Sequence, residues 1–180
     1  LDLRGAKIAG DLLLQGAQLN GPLYFSGAKF ESDLRLDRAR IGLRNAEDEQ
    51  RTTLLLDETL IYGKLSLDQA TVEAPIQASR LEIDDNLTGR RAVFRDEIRL
   101  RRSTVAGALF VNGAIFDGPV RFENSRFGSG LLAINTVCNE LWSLEKTRVD
   151  GPTSFQEARF RGRNAFDGAT FKQIDLSGAS

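Results

Sequence analysis

Residues 1–41 read LDLRGAKIAGDLLLQGAQLNGPLYFSGAKFESDLRLDRARI, and this stretch repeats itself every eleven residues. Alanine recurs at one position of the repeat, and a bulky apolar residue follows it two positions later. The four alanine and apolar pairs are Ala6 and Ile8, Ala17 and Leu19, Ala28 and Phe30, and Ala39 and Ile41. A fixed period of this kind is the signature of a solenoid, in which each repeat buries its apolar face against its neighbours.

A second apolar pair keeps the same step. It begins at Leu1 and Leu3, continues at Leu12 and Leu14, and recurs in sixteen units along the chain. One residue separates the two members of each pair, so the local period is two, which predicts short β-strands with alternate residues facing inward. Ten of the eleven phenylalanines fall at inward positions, and Phe110 alone does not.

One stretch interrupts the repeat. Residues 42–53 read GLRNAEDEQRTT, with five charged residues and no apolar alternation. The step between neighbouring apolar positions is thirteen residues there instead of four, so nine residues are extra. Such a polar stretch between two regular segments predicts a charged, solvent-exposed loop.

Some positions fit the pattern poorly. Gly89, Thr153 and Asn164 stand at inward positions where apolar residues are expected. In the stretch 131–134 the phase is ambiguous, because either Leu131 and Ala133 or Leu132 and Ile134 satisfy the alternation.

The motif A-x-[LF]-x-G, as in Ala6-Lys7-Ile8-Ala9-Gly10, resembles the bacterial pentapeptide-repeat family. The resemblance covers nearly the whole chain and implies a right-handed, quadrilateral parallel β-helix. This chain departs from the family in carrying one extra residue in every second unit, so two units of eleven make a coil of twenty-two where the family has twenty. We therefore predict an all-β solenoid of about eight coils, with a three-sided parallel β-helix as the alternative. The handedness comes from the resemblance alone.

The 180 residues are expected to form a single β-helix domain, 1–180, with the loop inserted at about 42–53. The chain begins without Met and begins and ends in mid-repeat, so we expect a fragment of a longer protein. It contains no signal peptide and no apolar run near the ~20 residues that a membrane span requires. A cytoplasmic location is the corresponding prediction, and contact with a membrane would come through segments outside this chain.

The composition argues against catalysis. There is no histidine, which removes the commonest general base and the usual ligand of transition metals. The single cysteine, Cys138, stands at an inward position and is expected to be a small core residue. We therefore predict no enzyme activity, no cofactor and no metal site.

Outward positions two units apart should stack on one another, which permits a map of the surface. On two adjoining sides this map places an apolar group, our candidate interface: Val93, Phe110, Ile115, Leu132 and Val137. Contiguous exposed apolar surface usually marks a contact site, so the group predicts binding of a protein partner or self-association. Isolated surface hydrophobes, with Leu132 turned inward, are the alternative.

The opposite sides carry stacked arginines. The candidate basic strip consists of Arg99, Arg121, Arg126 and Arg148. The stretch 90–102 alone holds six arginines against Asp96 and Glu97. One interpretation is a docking strip for an anionic partner, and the other is a solvated face on which nearby acids pair with the arginines.

Three functions follow from these features. The first is a structural scaffold that presents flat faces to a protein partner. The second is implied by the resemblance, since some pentapeptide-repeat proteins mimic DNA and bind gyrase or other topoisomerases through strongly acidic surfaces. The charge of this chain departs from that pattern, because 24 basic and 25 acidic residues give a net charge of −1, which also argues against a nucleic-acid partner. The third is the repeat region of a longer, membrane-associated protein.

Overall fold

The computed structural model describes residues 1–42 and 53–180, and this part of the chain is a parallel β-solenoid without a helix. Four short strands recur in each regular turn of two repeat units, so that Lys7 pairs with Lys29 and Ile8 with Phe30. The predicted parallel β-helix is confirmed. Four sides around every turn identify the four-sided form over the three-sided alternative.

Each side of the solenoid is a ladder of parallel strands, numbered in chain order. Side 1 contains β1 (Lys7–Ile8), β5 (Lys29–Phe30), β9 (Leu60–Ile61), β13 (Glu82–Ile83), β17 (Thr104–Val105) and β21 (Arg126–Phe127). Side 2 contains β2 (Leu12–Leu13), β6 (Leu34–Arg35), β10 (Leu65–Ser66), β14 (Leu87–Thr88), β18 (Ala108–Phe110) and β22 (Gly130–Leu132). Two longer strands, β25 (Arg148–Ser154) and β28 (Thr170–Asp175), continue both of these sides.

The other two sides are separate seven-stranded sheets. Side 3 contains β3 (Gln18–Leu19), β7 (Arg40–Ile41), β11 (Thr71–Val72), β15 (Val93–Phe94), β19 (Ile115–Phe116), β23 (Val137–Cys138) and β26 (Arg159–Phe160). Side 4 contains β4 (Leu23–Tyr24), β8 (Leu54–Leu55), β12 (Ile76–Ser79), β16 (Ile98–Arg101), β20 (Val120–Glu123), β24 (Trp142–Ser143) and β27 (Asn164–Ala165).

The number of turns is about seven, and the prediction of eight coils is wrong by one. Side 1 stacks eight strands from β1 to β28, and eight stacked strands are separated by seven full turns. The sixteen apolar pairs, taken two to a coil, count the eight strands stacked on one side. Eight strands have only seven turns between them. At a strand spacing of ~4.8 Å the ladder is ~34 Å long.

One turn is longer than the others and leaves the register intact. Lys7 pairs with Lys29 across a regular turn, whereas Lys29 pairs with Leu60 across the next one. This second turn therefore carries the nine extra residues that the sequence indicates. Side 3 continues in step across it, because Arg40 pairs with Thr71. The predicted charged loop, apart from Gly42 and Thr53, lies outside the described residues.

Apolar side chains fill the interior in columns, as the period predicts. Seven of the ten inward phenylalanines are buried and the other three, in the last turns, are half-buried. Trp142 lies at the centre of an aromatic cluster, with its ring centroid 5.4–6.1 Å from four phenylalanine rings. Its neighbours are Phe116, Phe122, Phe155 and Phe160.

The small residue that stands two positions before each single apolar position lies at a crowded corner. It is buried except near the two ends of the ladder, where Ala6, Ala17 and Ala169 are half-buried. Serine or threonine replaces alanine at some of these corners, and its hydroxyl donates to a carbonyl of an earlier turn. Thr59 Oγ1 donates to the oxygen of Phe25 at 2.8 Å, and Thr136 Oγ1 donates to the oxygen of Val111 at 2.9 Å. These polar residues are therefore accommodated without an unpaired buried hydroxyl.

The three positions that fit the pattern poorly differ in their burial. Gly89 is buried, and the Cζ atom of Phe94 lies 3.1 Å from the point where a Cβ would stand on Gly89. The Phe94 ring thus occupies most of the room that the missing side chain leaves, and an apolar cavity of about 40 Å³ remains beside it. Thr153 is buried, whereas Asn164, in the last turn, is exposed.

The ambiguous stretch 131–134 is settled by burial. Leu131 and Ala133 are fully buried, whereas Leu132 and Ile134 are half-buried. Leu132 pairs with Phe110 in the ladder and faces outward, so the alternative in which Leu132 turns inward is wrong.

One corner alternates glycine with larger residues from turn to turn. Its successive occupants are Gly10, Ser32, Gly63, Asp85, Gly107, Ser129 and Gly151. A Cβ on Gly107 would lie 2.6 Å from the carbonyl oxygen of Asp85 and 2.7 Å from its carbonyl carbon, distances that real Cβ atoms do not reach. A Cβ on Gly10, in the first turn, would meet nothing within 4 Å. At Gly63, Gly107 and Gly151 the backbone of the preceding turn therefore occupies the place of a Cβ, whereas Gly10 has no preceding turn beside it.

The buried hydroxyl of Thr153 provides a stability test. Thr153 is 2 % exposed and its Oγ1 has no hydrogen-bond partner, so Thr153→Val should remove an unsatisfied polar group and stabilise the protein by about 1 kcal/mol. The matched control is Thr136→Val, which deletes a made hydrogen bond and should destabilise by about 1 kcal/mol. Chemical denaturation followed by circular dichroism measures both. Equal losses in the two variants would contradict this difference.

Candidate interaction surface

Three apolar residues form a strip on side 3. Val93, Ile115 and Val137 stand on consecutive strands and pair in register, as the surface map predicts. Ile115 is 37 % exposed and the two valines are half-buried. Thr71 precedes the strip in the ladder and Arg159 follows it. We call the three residues the apolar strip.

The apolar surface continues onto side 2. Phe110 and Leu132 pair with each other there, and both are half-buried. Ile134, at the corner that joins side 2 to side 3, is also half-buried and lies between Leu132 and Val137 in the chain. The sequence map assigns strand positions and leaves corners out, which is why it misses Ile134. The five predicted residues and Ile134 together are called the apolar patch.

A charged residue flanks the patch. The guanidinium carbon of Arg90 lies 4.5 Å from the centroid of the Phe110 ring, a cation–π distance. Arg90 Nη1 is also 3.2 Å from a carboxylate oxygen of Asp68. Arg90 therefore covers part of the Phe110 ring and gives the patch a polar rim.

The first half of the candidate basic strip, on side 4, is paired with acids. Arg99 and Arg121 stand in register and both contact Glu97, at 2.8 and 3.0 Å. Arg121 also lies 3.9 Å from Glu123. The carboxylate of Glu97 thus bridges the two arginines.

The second half, on side 1, has the same arrangement. Arg126 and Arg148 pair in register, and both contact Asp150, at 2.7 and 2.5 Å. The hydrogen bond from Arg148, followed by that from Arg126, lowers the pKa of Asp150 below its usual value. All four arginines of the strip therefore have a carboxylate partner within the chain, and docking of an anionic partner stays a prediction.

Cys138 lies in the interior column of side 3. It is buried, and burial raises the pKa of its thiol to about 12. The thiolate is the nucleophilic form of cysteine, so at neutral pH this side chain is an unreactive core residue.

No family model, curated protein or solved structure matches the chain. Its classification therefore rests on the ladder itself, a repeat β-solenoid in which two units of eleven residues form each regular turn. Within residues 1–42 and 53–180, no helix has the length and apolar character needed to cross a bilayer.

Proposed function

We propose that this solenoid is a non-enzymatic scaffold that binds a protein partner through the apolar patch. The observation that carries the proposal is that outward apolar residues stack in register on two adjoining sides, three on side 3 and two on side 2. In the turns around the patch, outward positions on sides 1 and 4 carry ion-paired arginines, so the two pairs of sides differ in character there. Apolar surface of this kind, rimmed by polar residues, usually marks a site of protein contact.

The ladder determines how such a partner would bind. Strands in the middle of sides 2 and 3 pair with a neighbour on each flank, so their backbone groups are already used. A partner therefore binds through side chains and cannot add a strand to these faces. The turns hold those side chains at the ~4.8 Å spacing of a rigid sheet, so little ordering is needed on binding.

A double substitution tests the proposal. Phe110→Ser with Ile115→Ser should weaken partner binding by at least about thirtyfold, because central apolar anchors typically contribute about 2 kcal/mol or more. Both residues face outward, so the far-ultraviolet circular dichroism and the melting temperature should change little. Proteins retained by the immobilised parent and double variant are compared by quantitative mass spectrometry, followed by titration of the recovered partner.

Arg126→Ser, on side 1, is the control and should leave this binding unchanged. A partner that binds the parent and the double variant equally would contradict the proposal.

We also propose kinship with the pentapeptide-repeat family, with the right-handed coil that this kinship implies. The motif at Ala6 to Gly10 and the four strands of each turn support it, and the longer turn is a departure. The family's DNA-mimicking role receives less support, since acids and arginines alternate on sides 1 and 4 and the net charge is −1. A gyrase supercoiling assay at micromolar protein, expected to show no inhibition, tests that role.

A further inference from the structure

We infer that the partner at the apolar strip is a second copy of this chain, lying antiparallel with a two-fold axis at Ile115. The inference rests on the proposed function, and it adds the identity of the partner and the register of the contact. It follows from the order of residues on side 3 and in the row beside it.

The strip is symmetric about its centre. Ile115 has a valine one turn before it, Val93, and a valine one turn after it, Val137. A two-fold axis at Ile115 that runs along the strand direction places Ile115 against itself and Val93 against the second copy's Val137. A closed dimer requires a self-complementary surface of this kind.

The charged residues beside the strip are arranged with the same two-fold symmetry. A second row lies two residues after the strip and after its flanking residues, Thr71 and Arg159. From turn to turn, this row reads Glu73, Arg95, Asp117, Asn139 and Arg161. Glu73 and Arg161 stand two turns on either side of the centre. The antiparallel arrangement therefore sets Glu73 opposite the second copy's Arg161, and the symmetry operation produces the same pair at the other end.

Neither of these end residues has an ion pair elsewhere in the part of the chain that the structure describes. Arg161 Nη1 donates to Asn139 Oδ1 at 3.2 Å, which leaves the guanidinium without a carboxylate. A parallel arrangement would instead set Glu73 against the second copy's Gln69. It would pair Arg161 with the second copy's Glu157 but would also set Arg95 against the second copy's Arg91, so a like pair offsets each opposite pair. The charges thus favour the antiparallel register.

At the centre of the row, Asp117 meets the same residue of the second copy. Each of these carboxylates is already paired with Arg95 of its own chain. Asn139 Nδ2 also donates to Asp117 at 2.7 Å. The like charges at the axis are therefore compensated within each chain. Gly113, at the opposite corner of the same turn, has no side chain that would hold the faces apart.

The contact is small. The five strands from Thr71 to Arg159 are separated by four turns, which span ~19 Å of the ladder at ~4.8 Å for each turn. The side is about four residue steps wide, ~13 Å at ~3.3 Å for each residue, so its area of ~250 Å² is smaller than the ~800 Å² that each partner of a standard stable complex buries. We therefore expect a concentration-dependent dimer with a dissociation constant on the order of micromolar.

Charge exchange tests the register directly, with the full chain studied by sedimentation equilibrium across the micromolar range. Glu73→Arg alone and Arg161→Glu alone should each weaken the dimer at least about tenfold, because each sets like charges opposite one another at both ends. Mixing the two variants should restore the affinity, since the mixed dimer regains an opposite pair at each end. Circular dichroism verifies that both variants are folded.

A cross-link provides a second measurement. Ile115→Cys should be joined to itself by a short bismaleimide, because a residue on the axis faces its own copy and the native Cys138 is buried. Thr104→Cys, exposed on side 1, should not be joined.

Two results would overturn the inference: a parent that stays monomeric at every concentration, or a dimer whose single charge variants are not rescued by mixing. Neither would affect the proposed function if Phe110→Ser with Ile115→Ser still abolished binding of a different protein. The proposed function itself would be contradicted if the parent and the double variant bound that other protein equally.

Discussion

Replacing Phe116 by alanine is expected to destabilise the solenoid by about 3–5 kcal/mol, the usual cost of deleting a buried aromatic ring. Phe116 is 1 % exposed and its ring stacks on Phe94, with centroids 5.0 Å apart and planes 8° from parallel. It also meets Trp142 edge to face at 5.4 Å. The substitution would therefore break two ring contacts and enlarge the 40 Å³ cavity that Phe116 already lines.

The neighbouring residue is the control. Ile115 belongs to the same strand and faces outward, so Ile115→Ala should cost well below about 1 kcal/mol in dilute protein. Solenoid turns contact only their neighbours, so unfolding is not required to be all-or-none. The unfolding midpoint measured by circular dichroism is therefore compared with the midpoint measured by tryptophan fluorescence. A Phe116→Ala variant that melts with the parent would show that this ring is not part of the packed interior.

Gly107→Ala is expected to lower the free energy of unfolding by about 3 kcal/mol, the upper end for inserting atoms into a packed site. The added Cβ would stand 2.6 Å from the carbonyl oxygen of Asp85, which belongs to the preceding turn. The carbonyl is backbone held in the ladder, since Gly107 N–H donates to it at 3.1 Å. Two turns must therefore separate at this corner before alanine fits.

Gly10→Ala is the matched control, since Gly10 occupies the same corner in the first turn and has open space beside it. Neither glycine has a left-handed backbone, so the two substitutions differ in the space available and not in conformational strain. Thermal melts of the two variants measure the difference. Equal melting temperatures would contradict the idea that the backbone of the preceding turn excludes a Cβ at Gly107.

Much of the fold is predictable from the sequence because a period of eleven specifies which residues stack. The inward phenylalanines, the small corner residues and the pairing of Val93 with Ile115 all follow from spacing alone. Spacing does not reveal backbone conformation at the corners. Arg38, Glu58 and Lys146 adopt the left-handed conformation that Gly5 adopts in the first turn, although nothing in their chemistry signals it.

The pairing of side chains on the surface also cannot be predicted from the sequence pattern. The stacking of Arg99 on Arg121 is predictable, whereas the position of Glu97 between them depends on the rotamers of three flexible side chains. The compensation of Gly89 by Phe94 is similar, because it depends on the ring crossing the interior from another side. For the candidate surface, the strand positions were predictable and the corner residue Ile134 was not.

The alternating corner bears on how such a rod can change in length. Removing one full turn would bring two side-chain-bearing corners, such as Asp85 and Ser129, into contact. Removing two turns would rejoin a glycine to a larger residue and leave the interleaving intact. Duplications and deletions of two turns would therefore preserve the glycine alternation, which makes the unit of inheritance that keeps this corner unchanged twice the structural one.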